Sequence, residues 1–169
     1  IFDLQDLKIN EDAFNAKYKY NPAKQIFSSL DLFELLKTVK KINPGHYLIL
    51  KLYFLEGLAF VYTDNDSYYF DFKRTFLNNL QRISQNSRIN FFSSLLNICM
   101  EKSYAGQSEF NKEEFSLCRE MVSRNILKSD NDPYIDPALF RNMALIAIQN
   151  KEIEWLSKLL AGKIEELHP

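Results

Sequence analysis

The sequence predicts an all-α protein of about seven or eight helices, folded as antiparallel hairpins that stack in chain order. Two observations carry this. Apolar residues recur at three- and four-residue steps in five consecutive segments, and no segment shows the sustained alternation of a strand. A third agrees with them: the chain holds only five prolines and four glycines, placed where helices start, stop or pack closely.

The predicted helices span 28–41, 45–62, 67–84, 88–104, 109–127, 137–149 and 152–167. Upstream, Glu11–Tyr20 suits a further helix and "NPAK" at Asn21–Lys24 a break, although residues 1–25 carry the weakest pattern. Pro44 opens the second predicted helix, because a first-turn residue needs no amide donor. Its run Tyr47–Tyr62 carries Lys51 and Glu56 and falls short of the roughly 20 residues of a bilayer span, so it reads as a core helix. In 67–84 the stripe is Tyr69, Phe72, Phe76, Leu80 and Ile83; in 88–104, with Ser87 as cap, it is Phe91, Leu95 and Ile98. Ser108 or Asn111 caps 109–127, whose stripe is Phe115, Cys118, Val122 and Ile126. Phe140, Met143, Ala144 and Ala147 mark the next helix, and Ile153, Leu156, Leu160 and Ile164 the last, which ends at His168–Pro169. Short connections set neighbours antiparallel.

Two strings nearly repeat, "DNDSY" at Asp64–Tyr68 and "DNDPY" at Asp130–Tyr134. A helix–loop–helix calcium site needs oxygen at the fifth slot, glycine at the sixth and glutamate at the twelfth. Counted from Asp64 those slots hold Tyr68, Tyr69 and Thr75; from Asp130 they hold Tyr134, Ile135 and Arg141. The strings read instead as helix punctuation. Asp64, Asp66 and Ser67 offer oxygens to the amides of the helix they precede, and Asp136 caps a helix opened by Pro137. Ile135 and Phe140 stand at the two positions of a hydrophobic staple.

Length and composition set the class. The 169 residues suit a single domain spanning 1–169, and 46% apolar content supports a packed core. The chain opens on Ile1 with its only methionines at 100, 121 and 143, which reads as the boundary of a piece cut from a longer protein. With no signal-peptide pattern and no membrane span, the expected location is cytoplasmic. A net charge of −1, without long runs of one sign, gives duplex nucleic acid no basic patch to meet. Cys99 and Cys118 lie in apolar stretches without a CxxC spacing and read as reduced, buried thiols.

The sequence holds no recognisable catalytic constellation. His46 and His168 are the two histidines, His46 at a helix start and His168 next to the end. P-loop, dinucleotide-glycine and nucleophile-elbow patterns are absent, and four scattered His and Cys residues do not compose a zinc motif. Glu113–Glu114 and Glu165–Glu166 are adjacent, so each pair diverges by about 100° on a helix and reads as solvated surface. The expectation is a non-enzyme with no cofactor and no metal.

Two features point to repetition. "LLNICM" (Leu95–Met100) and "FRNMAL" (Phe140–Leu145) align Asn97 with Asn142 at an offset of 45 residues, about the length of a helical hairpin with its turns. The segment Asn142–Pro169 resembles the latter part of a tetratricopeptide unit, with Met143, Ala144 and Ala147 in its packing slots; Leu156 stands where that motif prefers alanine. From about Phe91 onward the chain also looks like a group of uncharacterised bacterial helical-repeat proteins, through Tyr134, Pro137, Asn142, Glu152, Glu154 and Trp155. That resemblance covers roughly half the chain. It implies a tetratricopeptide-like, right-handed α-α superhelix and brings no activity with it.

A stack of hairpins has an inner wall lined by every other helix. The expected function is therefore a protein-interaction module whose wall is built by 88–104 and 137–149, with Ser93, Asn97, Ser103, Arg141, Asn142 and Gln149 as candidate contacts to a protein or peptide. Arg141 would pair with a carboxylate and Asn142 with a peptide backbone. Trp155 is either an interface anchor or the cover of its own hairpin seam. The alternatives are an enzyme or ligand-binding pocket between helices, which would show itself as a deep pocket holding a perturbed carboxylate, and a helical repeat for single-stranded nucleic acid. Scaffolding of neighbouring domains and self-association stay open.

Overall fold

A computed structural model describes residues 31–130 and 132–167. The described residues form seven α-helices and no strand, apart from one isolated parallel bridge between Ile135 and Leu167. The expected Glu11–Tyr20 helix, the Asn21–Lys24 break and His168–Pro169 lie outside them. The chain divides into two compact units, Ile1–Asn78 and Asn79–Pro169.

In the first unit, α1 (Leu32–Ile42), α2 (Pro44–Val61) and α3 (Asp66–Leu77) pack in chain order. Asp31 starts α1 by accepting a hydrogen bond from the Glu34 amide at 2.9 Å. Pro44 opens α2 as expected. Leu48, Leu52 and every residue from Phe54 to Phe60 are buried, so the C-terminal half of α2 is enclosed on all sides, whereas its first turn is exposed. The edge of one ring meets the face of the other where Phe33 of α1 packs on Phe54, with centroids 5.2 Å apart. Asn65, rather than Asp64 or Asp66, caps α3: its side-chain oxygen accepts from the Ser67 amide at 3.1 Å and the Ser67 hydroxyl at 2.7 Å.

The predicted helix 67–84 is shorter than expected. α3 stops at Leu77, and a 3₁₀ turn at Leu80–Arg82 follows. Leu80 and Ile83 are buried as the stripe required, but from irregular backbone. Apolar spacing reports burial, and a turn can deliver it as well as a helix.

The second unit holds α4 (Gln85–Tyr104), α5 (Glu109–Ser123), α6 (Pro137–Gln149) and α7 (Ile153–Lys163), with α5, α6 and α7 each packed on the helix before it. Ser84, not Ser87, caps α4 by accepting from the Ser87 amide at 3.3 Å. Three of these helices end alike. After α4 the Gly106 amide donates to Ser103 and Gln107 to Lys102; after α5 Asn125 donates to Val122 and Ile126 to Met121; after α6 Lys151 donates to Ile148 and Glu152 to Ala147. These are Schellman closures, and they need a left-handed residue, found at Gly106 (φ 96°), Asn125 (φ 54°) and Lys151 (φ 61°). The Asn125 closure ends α5 four residues before its predicted limit, while Ile126 and Leu127 stay buried beyond it.

The long connection to α6 is pinned rather than loose. Gln85 Nε2 donates to the Lys128 carbonyl at 3.0 Å, and the Asp130 amide donates to Asn86 Oδ1 at 3.0 Å. Asp136 then caps α6, accepting from the Ala138 amide at 2.8 Å, with Ile135 and Phe140 both buried. In α7 the expected stripe is displaced. Leu156 and Leu159 are buried, whereas Ile153, Leu160 and Ile164 are exposed. The helix packs on α6, and Trp155 meets the ring of Phe115 in α5 edge-to-face at 5.1 Å, a contact outside its own hairpin.

Candidate functional site

A groove of about 580 Å³ opens in the second unit, walled by α4 and α6, with two side chains from the start of α5 between them. Helical spacing builds both walls. On α4, Ser93, Asn97, Met100 and Tyr104 recur at steps of four, three and four, which places them on one face. On α6, Ala138, Leu145 and Gln149 stand with Asn142 in the same steps. Each α6 position lies 45 residues after its α4 counterpart. The buried faces obey the same offset: Leu95, Ile98 and Lys102 on α4 correspond to Phe140, Met143 and Ala147 on α6.

α5 contributes Asn111 and Glu114. Asn111, considered above as a cap, lies inside its helix and accepts the Ser103 hydroxyl at 2.5 Å, tying α5 to the α4 wall. Glu114 is 7% exposed, and no hydrogen bond or ion pair holds it among the described residues. Burial pushes its carboxyl up to about 7, because the charged form loses water without gaining a partner. The expectation that Glu113–Glu114 is solvated surface is therefore corrected at Glu114. Phe110, Glu114, Leu117 and Met121 share one buried face, so a carboxylate occupies a slot whose spacing calls for an apolar residue.

Of the six residues expected on the inner wall, Ser93, Asn97, Ser103, Asn142 and Gln149 line the groove. Arg141 does not. It is exposed outside the lining, one residue (about 100°) around the helix from Asn142, whose side-chain oxygen accepts from its guanidinium at 3.3 Å. The lining residues that sequence reasoning missed include the apolar Met100 and Leu145, together with Asn111, Tyr104 and Glu114. A carboxylate embedded in an apolar stripe was the available signal for the last.

The fifteen lining residues include two carboxylates, Glu114 and Asp136, and no lysine, arginine or histidine. Asp136 is committed to capping α6 through one oxygen. Cys99 and Cys118 are free and buried; burial first, then the nearby Glu114 and Cys99, push the Cys118 thiol up, so it stays an unreactive SH. Among the described residues no group of His, Cys, Asp and Glu could hold a metal ion, and no helix is long and apolar enough to cross a membrane. His46 is exposed in the first unit.

No family model, curated protein or solved structure matches the chain. The functional reading therefore rests on the groove itself.

Proposed function

We propose that the second unit is a non-catalytic protein-interaction module, and that the α4–α6 groove receives an extended peptide segment of a partner protein. The supporting observation is the paired walls. Two helices, 45 residues apart in register, turn amide and hydroxyl side chains into one groove and set Met100, Tyr104 and Leu145 among them. An extended peptide offers alternating backbone donors and acceptors that Asn97, Asn142 and Gln149 can meet from either side, since each amide both donates and accepts. Exposed apolar side chains beside them supply area to bury. The repeated register also supports a tetratricopeptide-like stack of hairpins, in which alternate helices share an inner wall.

Glu114 favours a second reading, an enzyme or small-ligand pocket, because a carboxyl near 7 suits proton transfer at neutral pH. The groove lining holds no histidine, cysteine or lysine, and Asp136 is engaged as a cap. Recognition asks less of this residue set than catalysis does.

Selection from a random displayed-peptide library tests the reading. Peptides recovered on the intact chain are expected to lose binding to Asn142→Trp, which fills the groove from an exposed position. Failure to recover any peptide, or equal binding to the variant, would discard it.

A further inference from the structure

The groove contains an acid that nothing in the fold uses. Glu114 makes no hydrogen bond or ion pair among the described residues, although it is nine-tenths buried and faces the groove. Leaving a buried polar group unmatched costs stability, so such a group persists where something outside the fold completes it. Its surroundings contain no competing cation in contact. Lys102 of α4 holds its ammonium 5.2 Å from the centre of the Phe110 ring, burial keeps the nearby Cys118 thiol uncharged, and Asp136 adds a second carboxylate to the lining. The wall otherwise offers neutral amides, hydroxyls and apolar surface.

Resting on the peptide-groove reading, we propose that the bound segment carries a lysine or arginine whose cationic head enters the groove and pairs with the Glu114 carboxylate, while Asn97 and Asn142 hold its backbone. Charge complementarity commits the occupant: the lining is acidic with no basic member, and a cation is the side-chain type that pairs most strongly with a largely buried carboxylate. An acidic segment would bring like charge onto Glu114. The aliphatic stem of lysine or arginine also suits the apolar strip of Met100 and Leu145. Because an approaching cation stabilises the ionised acid, binding near pH 7 releases a proton from Glu114.

The test uses the library-selected peptides with wild type, Glu114→Gln and Asn142→Trp. Expected is a Lys or Arg at one fixed position of the recovered pool. Affinity for the cationic peptide should fall at least about tenfold in Glu114→Gln, with little change for its lysine→norleucine counterpart. Calorimetry in buffers of different ionisation heat should show proton release at pH 7 for wild type and none for Glu114→Gln. Peptides that require the groove yet carry no fixed cation, or that bind Glu114→Gln undiminished, would overturn the cation assignment and leave the groove standing. Peptides indifferent to Asn142→Trp would overturn both.

Discussion

α2 and α6 are both apolar helices, and they are used differently. In α2 every residue from Phe54 to Phe60 is buried, including Glu56, so along this half of the helix no face is left to meet anything else. In α6 Phe140, Met143, Ile146 and Ala147 are buried, whereas Asn142, Leu145 and Gln149 are exposed along a groove. A helix enclosed on all sides works only as packing. One buried on a single stripe leaves a second stripe that stability does not dictate, and function can occupy it.

The largest expected effect tests the packing half of that contrast. Leu52→Ala in α2, at a position with no exposure, should cost about 2–5 kcal/mol in chemical denaturation. A cost below about 1 kcal/mol would show that α2 is not the core helix its burial indicates.

Next comes Glu114, where groove and core meet. Its carboxyl lies near 7 when folded, against an ordinary value of 4.5. The folded chain thus holds a proton that the unfolded chain has released between these values, so stability falls as pH rises from about 4.5 to 7 and levels off above. Glu114→Gln should remove this dependence and stabilise the protein at pH 8 by roughly 2–3 kcal/mol, with little change at pH 4. Urea titrations of both proteins at pH 4, 6 and 8 measure it, and parallel pH profiles would refute an unmatched buried acid.

Lys151→Gly is a smaller change with a defined cause. Lys151 holds a left-handed conformation (φ 61°) to close α6, and glycine there should gain about 1 kcal/mol in thermal or urea unfolding. Gly106→Ala, in the matching closure of α4 (φ 96°), should lose a comparable amount although a Cβ there meets nothing within 4 Å. The pair isolates backbone strain from packing.

The smallest stability effect carries the functional half. Asn142→Ala should stay within about 0.5 kcal/mol of wild type, because the side chain is exposed and its partner Arg141 is also solvated. The same change should weaken binding of library-selected peptides. A residue that matters to binding and not to folding is what distinguishes the groove stripe of α6 from any stripe of α2.

Much of the fold was legible because apolar spacing and caps are local. Pro44 and Asp136–Pro137 marked helix starts that the structure keeps, and Tyr69, Phe72 and Phe76 are buried as their spacing required. Errors fell where a neighbour or a backbone conformation decides. Asn125 ends α5 by turning left-handed, which an asparagine permits without announcing. On α7, Leu156 and Leu159 were chosen for burial over Ile153 and Leu160 by the way the helix lies on α6, a choice that spacing leaves open. Five of the six wall candidates could be named because polar residues at helical intervals on alternate helices share a face; Arg141 fell outside by one position on its helix.

The amino-acid order by itself determined that this chain is helical, roughly where its helices begin, and that Asn97 and Asn142 repeat across 45 residues. Those properties depend on period, propensity and capping, all set within a few residues. Tertiary structure alone decided that the two asparagines face one groove and that Glu114 of α5 lines it, largely buried and without a hydrogen-bond partner among the described residues. Desolvation is produced by atoms distant in the chain, so a carboxylate written as half of an ordinary Glu–Glu pair acquires its character only when the helices close around it.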